Sequence, residues 1–440
     1  MLNVPNLSAA FSYLHTIVCE RMRAHLQLEE SEETNEVTYL QDDSPFARLI
    51  RTHQPTFEEY IVLLLALVPH VQPHFFNRIM AEFLPEGGDL PEFGGVRGTN
   101  HRGIMPTGET AQFILAGDDL TKRLEIQGLF SASHWFLQRH ILKLESVREG
   151  EPAMSGRLLP DSDIVELLTL GSVSPPRFST DFPAERITTQ LEWSDLILHP
   201  QTLHQIRDLE NWMRWNDTLL QEWEMKKQVK QGYRSLFYGP PGTGKTLTAT
   251  LLGKYTDKEV YRVDLSQTVS KYIGETEKNL SKLFDKAENK NWILFFDEAD
   301  ALFGKRTEVR DAHDKYANQE VAYLLQRIEA YNGLVILASN QRTNIDEAFT
   351  RRFQSVIHFP FPRAEERLAL WQKALPTRPG LADTVDWPQI AARFELTGAN
   401  IVNVMQYSLL TMLANGKQAL DYRQIETGIV RELVKEGKLS

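Results

Sequence analysis

The stretch Gly239-Pro240-Pro241-Gly242-Thr243-Gly244-Lys245-Thr246 constrains this chain more than any other. It fills every fixed position of the pattern G-x-x-x-x-G-K-[ST]. Before it stands Ser235-Leu236-Phe237-Tyr238, short and apolar as a buried parallel strand is. After it, Leu247 to Lys254 is rich in helix formers and free of proline. Strand, glycine-rich turn and helix, in that order, form a cradle for a polyphosphate. Gly242 and Gly244 let backbone N–H groups approach the anion. The helix N-terminus adds about half a positive charge. Lys245 is expected to reach the terminal phosphates and the Thr246 hydroxyl to meet Mg²⁺. Residues 239–247 therefore predict a nucleoside triphosphate site.

Composition sets the outer limits. The 440 residues allow about two to four domains, and 42% apolar residues suffice for real cores. A net charge of −11 argues against a protein devoted to nucleic acid, which carries a basic face. The single cysteine, Cys19, rules out an internal disulfide and argues against a cysteine metal site. With no segment resembling a signal peptide, these features point to a reducing, cytoplasmic compartment. The longest apolar run, Ile61 to Val68, is far below the roughly 20 residues a membrane span needs and predicts a buried helix.

The chain divides by pattern. Residues 1–43 predict an amphipathic helix and an acidic linker. Residues 44–170 predict an N-terminal α+β domain, winged-helix-like, with helices over Thr56 to Val68, His74 to Leu84 and Trp135 to Leu144. A hairpin and strands follow within Glu145 to Leu170. His70, His74, His101, His134 and His140 are scattered and predict surface or structural roles. Residues 171–189, with three prolines, predict a linker. In residues 190–362, Trp193 to Leu198 is strand-like and His204 to Lys226 is a long helix. From Ser235 apolar strands alternate with helices, which predicts an α/β fold: a parallel five-stranded sheet covered on both faces. Residues 363–440 read as a small helical domain.

A second chemical element follows the loop. Ile293-Leu294-Phe295-Phe296-Asp297-Glu298 is an apolar strand ending in acids. A triphosphate site needs a carboxylate for hydrated Mg²⁺, and Asp297 is placed for it. It needs a group to polarise an attacking water, and Glu298 is the candidate.

Gly239 to Thr246, Asp297-Glu298, the strand ending Ser339-Asn340, and Asn344 to Phe353 fall in the order of the AAA+ ATPases, which this chain resembles over about residues 190–435. The resemblance implies a P-loop AAA+ module with a C-terminal helical lid, using ATP and Mg²⁺. It implies that Asn340 orients the attacking water and that Arg351 and Arg352 reach the nucleotide of a neighbouring subunit. Ile197, Gly398 and Ala399 would contact the adenine. Lys271, Tyr272 and Ile273 resemble the pore loop that grips a threaded polypeptide. The stretches Tyr261 to Ser266 and Arg310 to Glu320 resemble AAA ATPases of bacterial phage-tail-like contractile injection systems.

The expectation is a ring, a hexamer by resemblance, that remodels a protein client recruited by the N-terminal domain. Two alternatives stay open at this point: a nucleotide-gated scaffold and a DNA-directed motor or loader.

Overall fold

The computed structural model describes residues 4–28, 42–88, 90–176, 178–179, 182–229, 231–264, 275–299, 322–340, 351–378, 381 and 385–438. The chain forms two compact units, Met1–Pro175 and Pro176–Ser440.

In the first unit the apolar run becomes the central helix Phe57–Val71, with Ile61 to Val68 no more than 1% exposed. Thr56 caps it, and Glu59 closes a capping box by accepting from the Thr56 N–H. Glu59 also accepts from Trp135 Nε1 and His134 Nε2, each at 2.8 Å. The Phe136 N–H donates to His134 Nδ1, so the Nε2 proton is the one offered to Glu59. The helix Val4–His25 packs into the same core through Leu14, Val18 and Met22, so it belongs to this unit rather than standing apart. Two short antiparallel ladders complete it: β1 (Val96–Arg97) with β2 (Ile104–Met105), and β3 (Leu142–Leu144) with β4 (Leu158–Pro160). The expected helix over Trp135 to Leu144 is only one turn, Trp135–Gln138, because His140 takes a left-handed φ of 50°. Where strands alone were expected near the end of the unit, Asp161 caps a helix, Ser162–Leu170. Among the described residues, no single helix is long and apolar enough to cross a membrane.

The second unit is built on a sheet of β5 (Ala184–Ile187), β6 (Tyr233–Tyr238), β7 (Val260–Val263), β8 (Ile293–Phe296), β9 (Leu334–Ser339) and β10 (Ser355–His358), in the order β10-β6-β9-β8-β7-β5. Five strands are parallel and β5 runs antiparallel to β7. Among the described residues the sheet thus has six strands, not the expected five, and the sixth comes from the predicted linker. Its sequence, Ala-Glu-Arg-Ile, hides it. Only Ala184 is buried, while Glu185 pairs with Arg262 and Arg186 with Glu259, the charged dress of an edge strand. The strand-like Trp193 to Leu198 joins no sheet; it is a single 3₁₀ turn, Trp193–Asp195, followed by an extended strap.

Alternating residues feed two cores. Leu294 and Phe296 face one side of the sheet, Ile293 and Phe295 the other. The helix Glu275–Lys290 covers the first side with Leu280, Leu283 and Phe284. The helices Pro200–Gln221 and Lys245–Tyr255 cover the second with Ile206, Leu209 and Leu252. Both faces are dry, which is why the strands read as continuous apolar runs. A lid of four helices, Ala364–Ala374, Trp387–Arg393, Gly398–Ala414 and Tyr422–Lys435, closes around Trp371, Ile401 and Ile425.

Phe295 is fully buried in the middle of this sheet. Phe295→Ala is expected to destabilise the unit by about 3–5 kcal/mol, seen as a lower urea midpoint by tryptophan fluorescence.

Candidate nucleotide site

Register places the chemistry. Tyr238 at the end of β6 sits opposite Ser339 at the end of β9, and Phe296 of β8 sits opposite Leu337 of β9. The three strands stop together, so Gly239, Asp297 and Asn340 all emerge at one edge. That is the carboxyl end of the sheet, where open α/β folds place their ligands.

The loop begins as β6 ends, with the Gly239 N–H donating to Ser339 O at 3.2 Å. Gly244 adopts φ 99° as the cap residue of the helix Lys245–Tyr255, a conformation that L side chains rarely take. At Gly242 a Cβ would stand 2.6 Å from Thr397 Oγ1 and 2.8 Å from Ala399 Cβ, so only glycine lets the loop meet the lid. The first N–H groups of the helix have no intrahelical acceptors and face the loop.

Lys245 is 7% exposed. Its ammonium donates to Gly239 O at 2.6 Å, Pro240 O at 3.0 Å and Asn340 Oδ1 at 3.2 Å. A buried cation must be satisfied, and these dipoles hold it at the mouth of the loop. They are exchangeable for phosphate oxygens, which bind an ammonium more strongly. Thr246 and Asp297 are half-buried at the same edge. A hydroxyl and a carboxylate are hard oxygen donors of the kind Mg²⁺ takes, so the residues fit that ion. Glu298 is exposed and holds a left-handed φ of 51° in the turn after β8. Its N–H donates to Asp297 Oδ1 at 3.0 Å, and the Ala299 N–H rejoins β9 at Ala338 O, 2.8 Å away. A non-glycine residue in this region is strained by about 1–3 kcal/mol, a cost common where a side chain is aimed for use.

Beside the loop lies a cavity of about 370 Å³. Gly242, Thr243, Gly244 and Leu247 form its floor, and the strap contributes Ile197 with Leu196 and Leu198. The lid contributes Gly398 and Ala399 with Leu370, Val402 and Asn403. The volume and apolar walls suit a nucleoside. The strap is tied on both sides. Glu192 holds Lys254 at 2.7 Å and the Tyr255 hydroxyl, and Asp195 holds Lys373 of the lid at 3.1 Å. The Lys254 and Tyr255 hydrogen bonds keep the Glu192 carboxyl below its usual range; the Glu192 N–H and then Lys373 do the same for Asp195. Leu196 and Leu198 flank Ile197 in the segment that the family resemblance marks for adenine, whereas the lining from Leu370, Val402 and Asn403 escapes motif reading.

Arg351 and Arg352 are exposed in the turn before β10, and Arg352 pairs with Glu329. They do not join Lys245. Ser355 pairs with Ser235 near the start of β6, and the loop begins four residues further along, roughly 13 Å at strand rise. Lys271, Tyr272 and Ile273 lie outside the described residues.

Residues 235–361 match the family described as "ATPase family associated with various cellular activities (AAA)". The chain is 30% identical over 208 residues to the 26S proteasome regulatory subunit 6B homolog of Dictyostelium discoideum, covering 46% of this chain and 51% of that protein. It is 33% identical over 193 residues to the proteasome-activating nucleotidase of Methanoregula boonei, covering 42% and 44% respectively. Vacuolar protein sorting-associated protein 4B of Mus musculus is 29% identical over 195 residues, covering 43% and 44%. The chain spans about half the length of the curated relatives it matches, or less. The match begins at the P-loop strand and runs past β10, with the two-faced sheet beneath it, so residues 235–361 form a domain of the kind that the AAA family of ATPases carries.

Proposed function

We propose that this protein hydrolyses ATP as a ring oligomer, a hexamer by resemblance, and uses the turnover to remodel a protein client. The observation that carries the proposal is the contact of Lys245 with Asn340 at 3.2 Å, which joins the loop to the end of β9 beside Asp297 and Glu298. Lys245 binds the terminal phosphates, and Thr246 and Asp297 hold Mg²⁺, whose charge offsets that of the phosphates. Ile197, Gly398 and Ala399 hold the adenine. Glu298 accepts the proton of the attacking water, and Asn340 orients that water.

Arg351 and Arg352 act on a neighbour's nucleotide. Their place at the start of β10, away from their own loop, supports action in trans. Tyr272 and Ile273 contact the client, with Lys271 beside them; Tyr272 offers a flat apolar face suited to many peptide sequences. Relatives named as a proteasome regulatory subunit and a proteasome-activating nucleotidase support a protein client. The first unit recruits it, as a winged-helix-like module. On the sequence resemblance alone, the client belongs to the assembly or disassembly of a contractile injection system.

Lys245→Ala should weaken MgATP binding by at least tenfold, the worth of about 1.5–3 kcal/mol for a charge-assisted hydrogen bond, in a fluorescent-nucleotide titration. Glu298→Gln should keep ATP binding and lose turnover; biological activity retained in that variant would favour a nucleotide-gated scaffold instead. Arg351→Ala combined with Arg352→Ala should lower kcat by about 10³–10⁵ without abolishing nucleotide binding. Light scattering with ATP should show a ring, and a monomer under all conditions would end the trans mechanism.

A further inference from the structure

Among the described residues, a cluster of ligating side chains lies in the first unit. His15 and Cys19 are four residues apart on the helix Val4–His25 and share a face. The helix Phe75–Phe83 brings Glu82 to them, and one donor atom from each of the three lies within 4.8 Å of the others. We propose that His15, Cys19 and Glu82 form a Zn²⁺ site that ties these two helices together.

The spacing carries the argument. Zinc–sulfur and zinc–nitrogen bonds of about 2.3 and 2.05 Å at a tetrahedral angle place the two donor atoms about 3.6 Å apart. Cys19 Sγ stands 3.6 Å from His15 Nδ1 and 3.8 Å from Nε2, so the two side chains have a ligand pair's spacing, and a turn of the exposed imidazole aims one nitrogen at the shared ion. Glu82 is exposed and can close the remaining gap by a rotamer change. The donors, one nitrogen, one sulfur and one oxygen, are the mixed set that zinc accepts. The chemistry of the surroundings agrees. Cys19 is 3% exposed and packed in the hydrophobic core, so the sulfur side is dry. His15 and Glu82 face solvent, which leaves the fourth position to water. As the sulfur–zinc bond forms, the thiol releases its proton to solvent, and the thiolate and carboxylate together neutralise the ion. The same burial of Cys19 leaves no open approach for a substrate, which argues against a nucleophilic thiol. Counting cysteines sets such a site aside, because a histidine and a carboxylate join the thiol only when the two helices pack.

The full-length chain, stripped with chelator and free of nucleotide, should be titrated with Co²⁺ and then Zn²⁺. It has one cysteine, so a cobalt–thiolate charge-transfer band reports Cys19 alone. Co²⁺ at the oxygen donors of the nucleotide site gives no such band. The expected result is a band that saturates at one equivalent per chain and vanishes as Zn²⁺ displaces Co²⁺. Cys19→Ser should abolish it, and His15→Ala and Glu82→Gln, both surface substitutions, should each weaken Co²⁺ by at least tenfold with the circular dichroism unchanged. No band in the folded wild-type chain, or wild-type affinity in His15→Ala, would overturn the proposal.

Discussion

Everything at the nucleotide site depends on keeping one buried ammonium satisfied. Lys245 lies 7% exposed among Gly239 O, Pro240 O and Asn340 Oδ1. Those acceptors belong to two different strand ends, β6 and β9, so the contact exists only if the two strands are parallel neighbours in the observed register. A slip of one residue would turn every side chain of β9 to the opposite face and exchange the two cores. Packing on both faces, by Leu337 on one side and Ile336 and Ala338 on the other, therefore fixes the position of a polar contact at the rim. The apolar interior sets the geometry, and the chemistry sits where the interior stops.

The cavity beside the loop draws on three elements that are far apart in the chain: the strap, the loop and the lid. Gly242 touches Thr397 and Ala399 closely, and the Ala399 N–H donates to Gly242 O at 3.3 Å. The strap reaches the loop helix through Glu192 and the lid through Asp195. These ion pairs are exposed and individually weak, so they orient the parts more than they lock them. A nucleoside touching all three elements would favour the closed arrangement only to the extent that it binds that arrangement better than an open one. The lid is thereby poised to report what the loop holds.

The sequence reads best where local pattern and tertiary need agree. The loop and the five parallel strands are legible because a two-faced buried sheet demands continuous apolar runs, and a phosphate cradle demands glycines at fixed spacing. β5 is illegible for the opposite reason: as an edge strand it pairs with β7 through its backbone and shows charges outward. Trp193 to Leu198 has a strand's composition, but it joins no sheet: Leu196, Ile197 and Leu198 line the cavity, and Trp193 and Leu198 pack against the core beneath the sheet. The short helix at Trp135 stops where His140 turns left-handed, a conformation that apolar periodicity does not encode. Leu370, Val402 and Asn403 enter the cavity through the folding of the lid over the loop, so no local signal marks them.

The arginines show how topology alone can argue for assembly. β10 runs parallel to β6, and its first residue stands opposite Ser235, near the end of β6 away from the loop. The turn that carries Arg351 and Arg352 is anchored there, since the Gln354 N–H donates to Arg234 O and Arg234 donates to Glu329 O. Arg352 meets Glu329 at the same end. The pairing of β10 with β6 keeps that turn at the far end of the strand, and undoing it would open the dry interface beneath Ile357 and Phe237. Under the proposed function, these exposed cations at the end away from their own loop would meet a second copy's phosphates. In the proposed ring, each chain then supplies a cradle on one face and the completing charge on another, and turnover depends on the contact between them.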